Sequence, residues 1–161
     1  MTPSELLITA LLSLAPISEL RGAIPYAIVN NANPVFAYFY CVFFNSLIAP
    51  LFYLFILTIH KLFFKLAWYR KLFEKFITRA RDKIKKGVEK YGYFGIMLFV
   101  AIPLPLTGAY TGTAGAWVLG LEKRKTILAV TAGVVISGII VSLVLYFGIE
   151  TFSFVTKKVS I

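Results

Sequence analysis

Acidic residues are scarce in this chain, seven among 161, and there is one histidine and one cysteine. A lone cysteine, Cys41, excludes an intrachain disulfide. His60 and Cys41 lie too far apart for a local metal motif, and no nucleotide loop or hydrolase elbow is present. No metal, no cofactor and no enzymatic activity are therefore expected. The first twenty positions contain no Lys or Arg. They lack the positive start of a signal peptide and are read as mature structure.

What the chain has in excess is apolar surface. It is 59% hydrophobic and only 15% charged, whereas soluble domains carry about 25% charged residues. The natural solvent for that surface is a bilayer. Seventeen Lys and Arg give a net charge of +10, and eleven of them fall between Lys61 and Lys90. Nucleic acid is a poor partner for a basic run between membrane segments. A cytoplasmic loop obeying the positive-inside rule fits better.

The apolar segments are unequal in length. Glu5–Ala15 and Ala23–Val29 are short arms on either side of Pro16 and the polar stretch Ser18–Gly22, and Asn30–Pro34 is a turn. An arm of eleven residues rises about 16 Å, half of a hydrocarbon core of about 30 Å. The two arms fit a re-entrant hairpin with its polar tip inside the membrane; a single bent span over Leu6–Val29 competes with it. Val35–His60 is uncharged and long enough to span, with Asn45 and Pro50 as interruptions. In Lys61–Lys90, the residues Leu62, Leu66, Tyr69, Phe73, Phe76, Ala80, Ile84 and Val88 recur at three- or four-residue steps. That spacing predicts an amphipathic helix suited to anionic lipid headgroups or, alternatively, to a partner protein.

Phe94–Ile102 and Ala114–Leu121 repeat the short-arm pattern around Pro103-Leu104-Pro105 and Thr107–Thr113. Thr126–Ile149 is a second span, with Gly133, Ser137 and Gly138 as small packing positions. The expected layout is one membrane domain: hairpin 1–34, span 35–60, basic helix 61–92, hairpin 93–122, span 123–150 and tail 151–161. The basic helix and Glu122–Lys125 belong on the cytoplasmic side of a prokaryotic plasma membrane. The hairpins then enter from opposite faces. The expected fold class is an all-α integral membrane protein, an inverted-topology repeat of re-entrant hairpin plus transmembrane helix. The small enclosed volume suggests a homodimer, packed through the small residues of the second span.

Glu19 and Arg21 are the principal candidates for function, because ionisable groups at membrane depth are costly and need partners. Low dielectric favours a neutral Glu19, whereas a nearby Arg21 favours its carboxylate. A group balanced between these pulls can take up and release a proton. Arg21 can pair with Glu19 or grip an anionic substrate group; a permanent pair that locks the hairpin is the structural alternative. Ser18, Pro25, Asn45, Pro103, Pro105, Thr107, Tyr110 and Thr111 are candidates to line a pathway, since prolines free backbone groups and the others offer polar side chains. Gly108, Gly112 and Gly115 permit close backbone approach.

Ser18-Glu19-Leu20-Arg21-Gly22-Ala23-Ile24-Pro25 resembles the signature of the putative small multidrug export protein family, and Pro103–Gly112 resembles its second motif. That family is similar to the DedA, or VTT-domain, superfamily. The resemblance implies paired re-entrant hairpins and proton-dependent movement of lipids, including polyprenyl phosphates, with the superfamily's acidic residue at Glu19. The arginines of its second hairpin have no counterpart in Pro103–Gly112. Three functions stay open: a proton-linked carrier of a small or amphipathic solute, a lipid translocase or scramblase, and a non-transporting scaffold.

Overall fold

The computed structural model describes residues 1–58, 63, 66–103 and 108–159, with side chains as far as 148. His60, Leu62, Pro105 and Thr107 lie outside the described residues. Among those described there are helices and no strands. They are α1 (Pro3–Leu14), α2 (Glu19–Val29), α3 (Pro34–Ser46), α4 (Ile48–Thr58), α5 (Ala67–Tyr91), α6 (Tyr93–Ala101), α7 (Ala109–Val118) and α8 (Lys123–Val159).

Local chemistry sets the boundaries of α1. Thr2 and Glu5 form a reciprocal capping box, with Pro3 in the first turn. The helix stops at Ala15, which is extended because Pro16 follows. The second break obeys the same rule: Ile102 is extended before Pro103. Helices α1, α2, α6 and α7 have 9 to 12 residues. At about 1.5 Å per residue, none of them crosses a hydrocarbon core of about 30 Å alone.

Two stretches are long and apolar enough to cross a membrane, Pro34–Thr58 and Lys123–Gly148. The first departs from the expected single helix. It divides at Leu47 into α3 and α4. Pro50 has no N–H for the carbonyl four residues back and its ring would crowd that carbonyl; placing it in the first turn of α4 removes the conflict. At the other end of the chain, α8 continues beyond the expected span, through Val159.

Burial in α1 runs opposite to that of a soluble helix. Thr9, Ala10 and Ser13 face inward, while Leu7 and Leu11 are exposed. Phe36, Phe39 and Phe43 of α3 and Leu128, Ile139 and Leu143 of α8 are exposed too. Small polar residues at helix contacts and large apolar residues outside suit a lipid environment, where packing and hydrogen bonds hold helices together. Tyrosine hydroxyls join the elements: Tyr40 donates to the Leu6 carbonyl at 3.1 Å and Tyr38 to that of Val135 at 3.2 Å.

The two helix–break–helix units are not equivalent. Helices α1 and α2 pack on each other, whereas α6 packs mainly on α8 and α5, and α7 mainly on α5. One face of the basic helix thus contributes to the protein core. Its Ile77, Ala80 and Ile84 are buried. A methyl placed on Gly115 of α7 would lie 2.8 Å from the Ala80 carbonyl oxygen. Within the expected apolar stripe Phe76 is 37% exposed, and Ile77 beside it is the residue buried against the rest of the protein. A step of four residues from Phe73, rather than three, keeps the stripe aimed at α7. Gly133 and Gly138 also serve within the chain, against Met97 and Val100, and against Tyr38 and Val42. Ser137 is buried as well. This stripe is therefore not free to pack against a second copy.

Candidate functional site

The C-terminal carbonyls of a helix have no partner within it, and beside Pro16 those of α1 cannot be satisfied by continuing the chain. Three elements meet the need. Asn45 of α3 donates its side-chain N–H to the Ser13 carbonyl at 2.7 Å. Tyr110 of α7 donates its hydroxyl to the Leu14 carbonyl at 2.6 Å. The Glu19 amide closes the turn on the Ala15 carbonyl at 3.0 Å. The break in the first unit is thereby pinned to the first span and to the start of α7.

Glu19 completes this junction. Its φ is +46°, a left-handed conformation that is uncommon for a residue with a long side chain. Strain of this kind costs on the order of 1–3 kcal/mol and persists only where the surroundings enforce it. Here the residue is 7% exposed. Its carboxylate accepts from the Ala109 amide at 3.4 Å, and the Tyr110 amide faces it too. These are the first amides of α7, the positive end of its dipole, where an anion is stabilised. The approach depends on Gly108, because any side-chain carbon at that position would fall on the Glu19 carboxylate.

Arg21 is half-buried and within electrostatic reach of Glu19. Among the described residues no ion pair within 4.0 Å joins the two, so the acid is held by α7 and not by a locked arginine. Ser18 is half-buried at the start of α2, and its enclosed hydroxyl has no hydrogen-bond partner among the described residues. Pro25 sits inside α2, where it supplies no N–H for the Arg21 carbonyl. Pro103 is half-buried at the second break. Thr111 lies one residue beyond the tip contact and faces α5. Thr113 points elsewhere: it is buried and donates to the Ala109 carbonyl of its own helix at 2.7 Å.

Sequence reasoning did not anticipate an aromatic groove of about 400 Å³ between α4 and α5. Ile48, Phe52, Phe55, Phe73, Phe76 and Tyr110 line it. The aromatic density of α4 was its only signal; the contribution of α5 depends on packing. Tyr110 therefore stands between the groove and the Leu14 carbonyl.

Among the described residues no group of three or more His, Cys, Asp or Glu is arranged to hold a metal ion. No curated protein and no solved structure matches the chain. A family model described as "Putative small multi-drug export protein" matches residues 19–140, from Glu19 at the start of α2 through the second break and into α8. With well over half of its length matched and two helical stretches able to cross a bilayer, the chain is an integral membrane protein that belongs to this family.

Proposed function

We propose that the chain is a transporter that moves a small or amphipathic solute past the contact between its two breaks, with Glu19 as a proton-linked latch. The observation that carries this reading is the Glu19 carboxylate against the first amides of α7. Ionised, the group is attracted to the positive end of α7 and holds the breaks together. Protonation removes that charge and weakens the latch, so the breaks can part. Arg21 keeps its charge throughout and supplies a counter-charge for the acid or for an anionic part of the solute.

The aromatic groove gives an apolar solute a route to Tyr110, whose hydroxyl bond to Leu14 is the second tie across the junction. In this reading both units are re-entrant and enter from opposite faces of a prokaryotic plasma membrane, with α5 on the cytoplasmic side. The family's description as multi-drug export proteins agrees with an amphipathic solute.

Proteoliposomes under an imposed pH gradient test the proposal, using amphipathic dyes and fluorescent phospholipids as probes. Glu19→Gln is expected to abolish gradient-dependent dye uptake in a protein that still folds. Unchanged uptake overturns the assignment. Phospholipid flipping without dye uptake would make the chain a lipid translocase instead.

A further inference from the structure

The three acids of α5 are each engaged by a cation of the same helix. Glu74 lies 3.8 Å from Arg70, Asp82 3.7 Å from Arg81, and Glu89 3.7 Å from Lys85. Lys75 and Arg79 take no ion pair within 4.0 Å among the described residues. They are four residues apart, neighbours on one face. Both line a groove of about 590 Å³ whose remaining wall is Leu72, Phe76, Ala80, Asp82, a third cation Lys83 and, from α7, Thr111.

We propose that this groove binds the headgroup of an anionic phospholipid. Its phosphate sits between Lys75 and Arg79 and accepts from the Thr111 hydroxyl, and its apolar part lies over Leu72 and Phe76. Two cations without acids call for an anion. The one acid among the described residues of the wall, Asp82, is already engaged by Arg81. Leu72 is 62% and Phe76 37% exposed beside these charges, and a free phosphate would leave that apolar wall in water. A lipid satisfies both, and an amphipathic basic helix at the membrane surface meets anionic lipids first. The site goes beyond the transport reading and does not depend on it, because retention of a lipid requires neither Glu19 nor movement of the breaks.

The test uses the full chain, purified from bilayers of mixed phosphatidylglycerol and phosphatidylcholine, with retained lipid counted by native mass spectrometry. Wild type is expected to keep phosphatidylglycerol in preference to phosphatidylcholine. At about 1 kcal/mol per basic residue near an anionic surface, K75Q/R79Q should lower retention about tenfold or more. Thr111→Val, which leaves the helix charge intact, should lower it less. K71Q/K86Q removes the same charge from exposed positions outside the groove and should retain the lipid. Equal loss in K75Q/R79Q and K71Q/K86Q would mean diffuse surface attraction and overturn the site. Equal retention of the two lipids, or full displacement by millimolar inorganic phosphate, would overturn it as well.

Discussion

Glu19 and Gly108 are 89 positions apart only in sequence; in space one leaves room for the other. Gly108→Ala puts a methyl group on the Glu19 carboxylate, and overpacking of this kind costs about 1–3 kcal/mol. A lower unfolding midpoint in detergent is expected. Shortening the acid should relieve the clash, so Glu19→Ala combined with Gly108→Ala should be less destabilised than the two single changes added together. Additive effects would show that the two residues do not touch. Tyr110→Phe removes the hydroxyl bond to Leu14 and should cost about 0.6 kcal/mol, at most about 1.7, as interhelical hydrogen bonds in membranes do. Glu19 was legible in the sequence because a charge in an apolar chain needs a reason. Its partner was not, because a backbone amide has no sequence signature.

Helices α5 and α6 meet through a pair of glycines whose environments differ sharply. A methyl on Gly95 would collide with the backbone of Gly87, whereas one on Gly87 would rest about 3.7 Å from Gly95. Gly95→Ala should therefore lower the midpoint markedly and separate the two helices, and Gly87→Ala should be close to neutral. Similar effects from both would contradict this packing. The amphipathic period of α5 was readable from sequence. What covers its apolar face was not, since the same stripe fits a lipid surface or a neighbouring helix. Here α7 occupies it through Ala114 and Gly115, and Phe73 meets Trp117 with ring centroids 6.1 Å apart. The residue choice between Phe76 and Ile77 depended on that neighbour too, because both lie within one step of the helical period.

For the whole molecule, the re-entrant reading makes a topological prediction. Single cysteines at Ser4 and Asn31, with Cys41 replaced by serine, should react with a membrane-impermeant maleimide from the same side of the bilayer. A cysteine at Lys85 should react from the other side. Labelling of Ser4 and Asn31 from opposite sides would establish a bent span over α1 and α2. Helices α1 and α2 pack on each other, and the side from which each cysteine is labelled decides between the hairpin and the bent span.

The sequence by itself determined the solvent of this protein, its helical class, the helix stops before Pro16 and Pro103 and the unusual position of Glu19. These follow from composition, from proline and from the cost of charge in an apolar medium, all of them local quantities. The tertiary structure decided how the breaks are satisfied: Asn45 and Tyr110 take the loose carbonyls of α1, and the first amides of α7 take Glu19. It also split the first span at Leu47, drew one face of the basic helix into the core and used the small residues of α8 inside the chain. The physical reason is common to all of these. In a bilayer every exposed backbone group needs a partner from elsewhere in the fold, and which partner reaches it is a matter of distance in space that residue order does not encode.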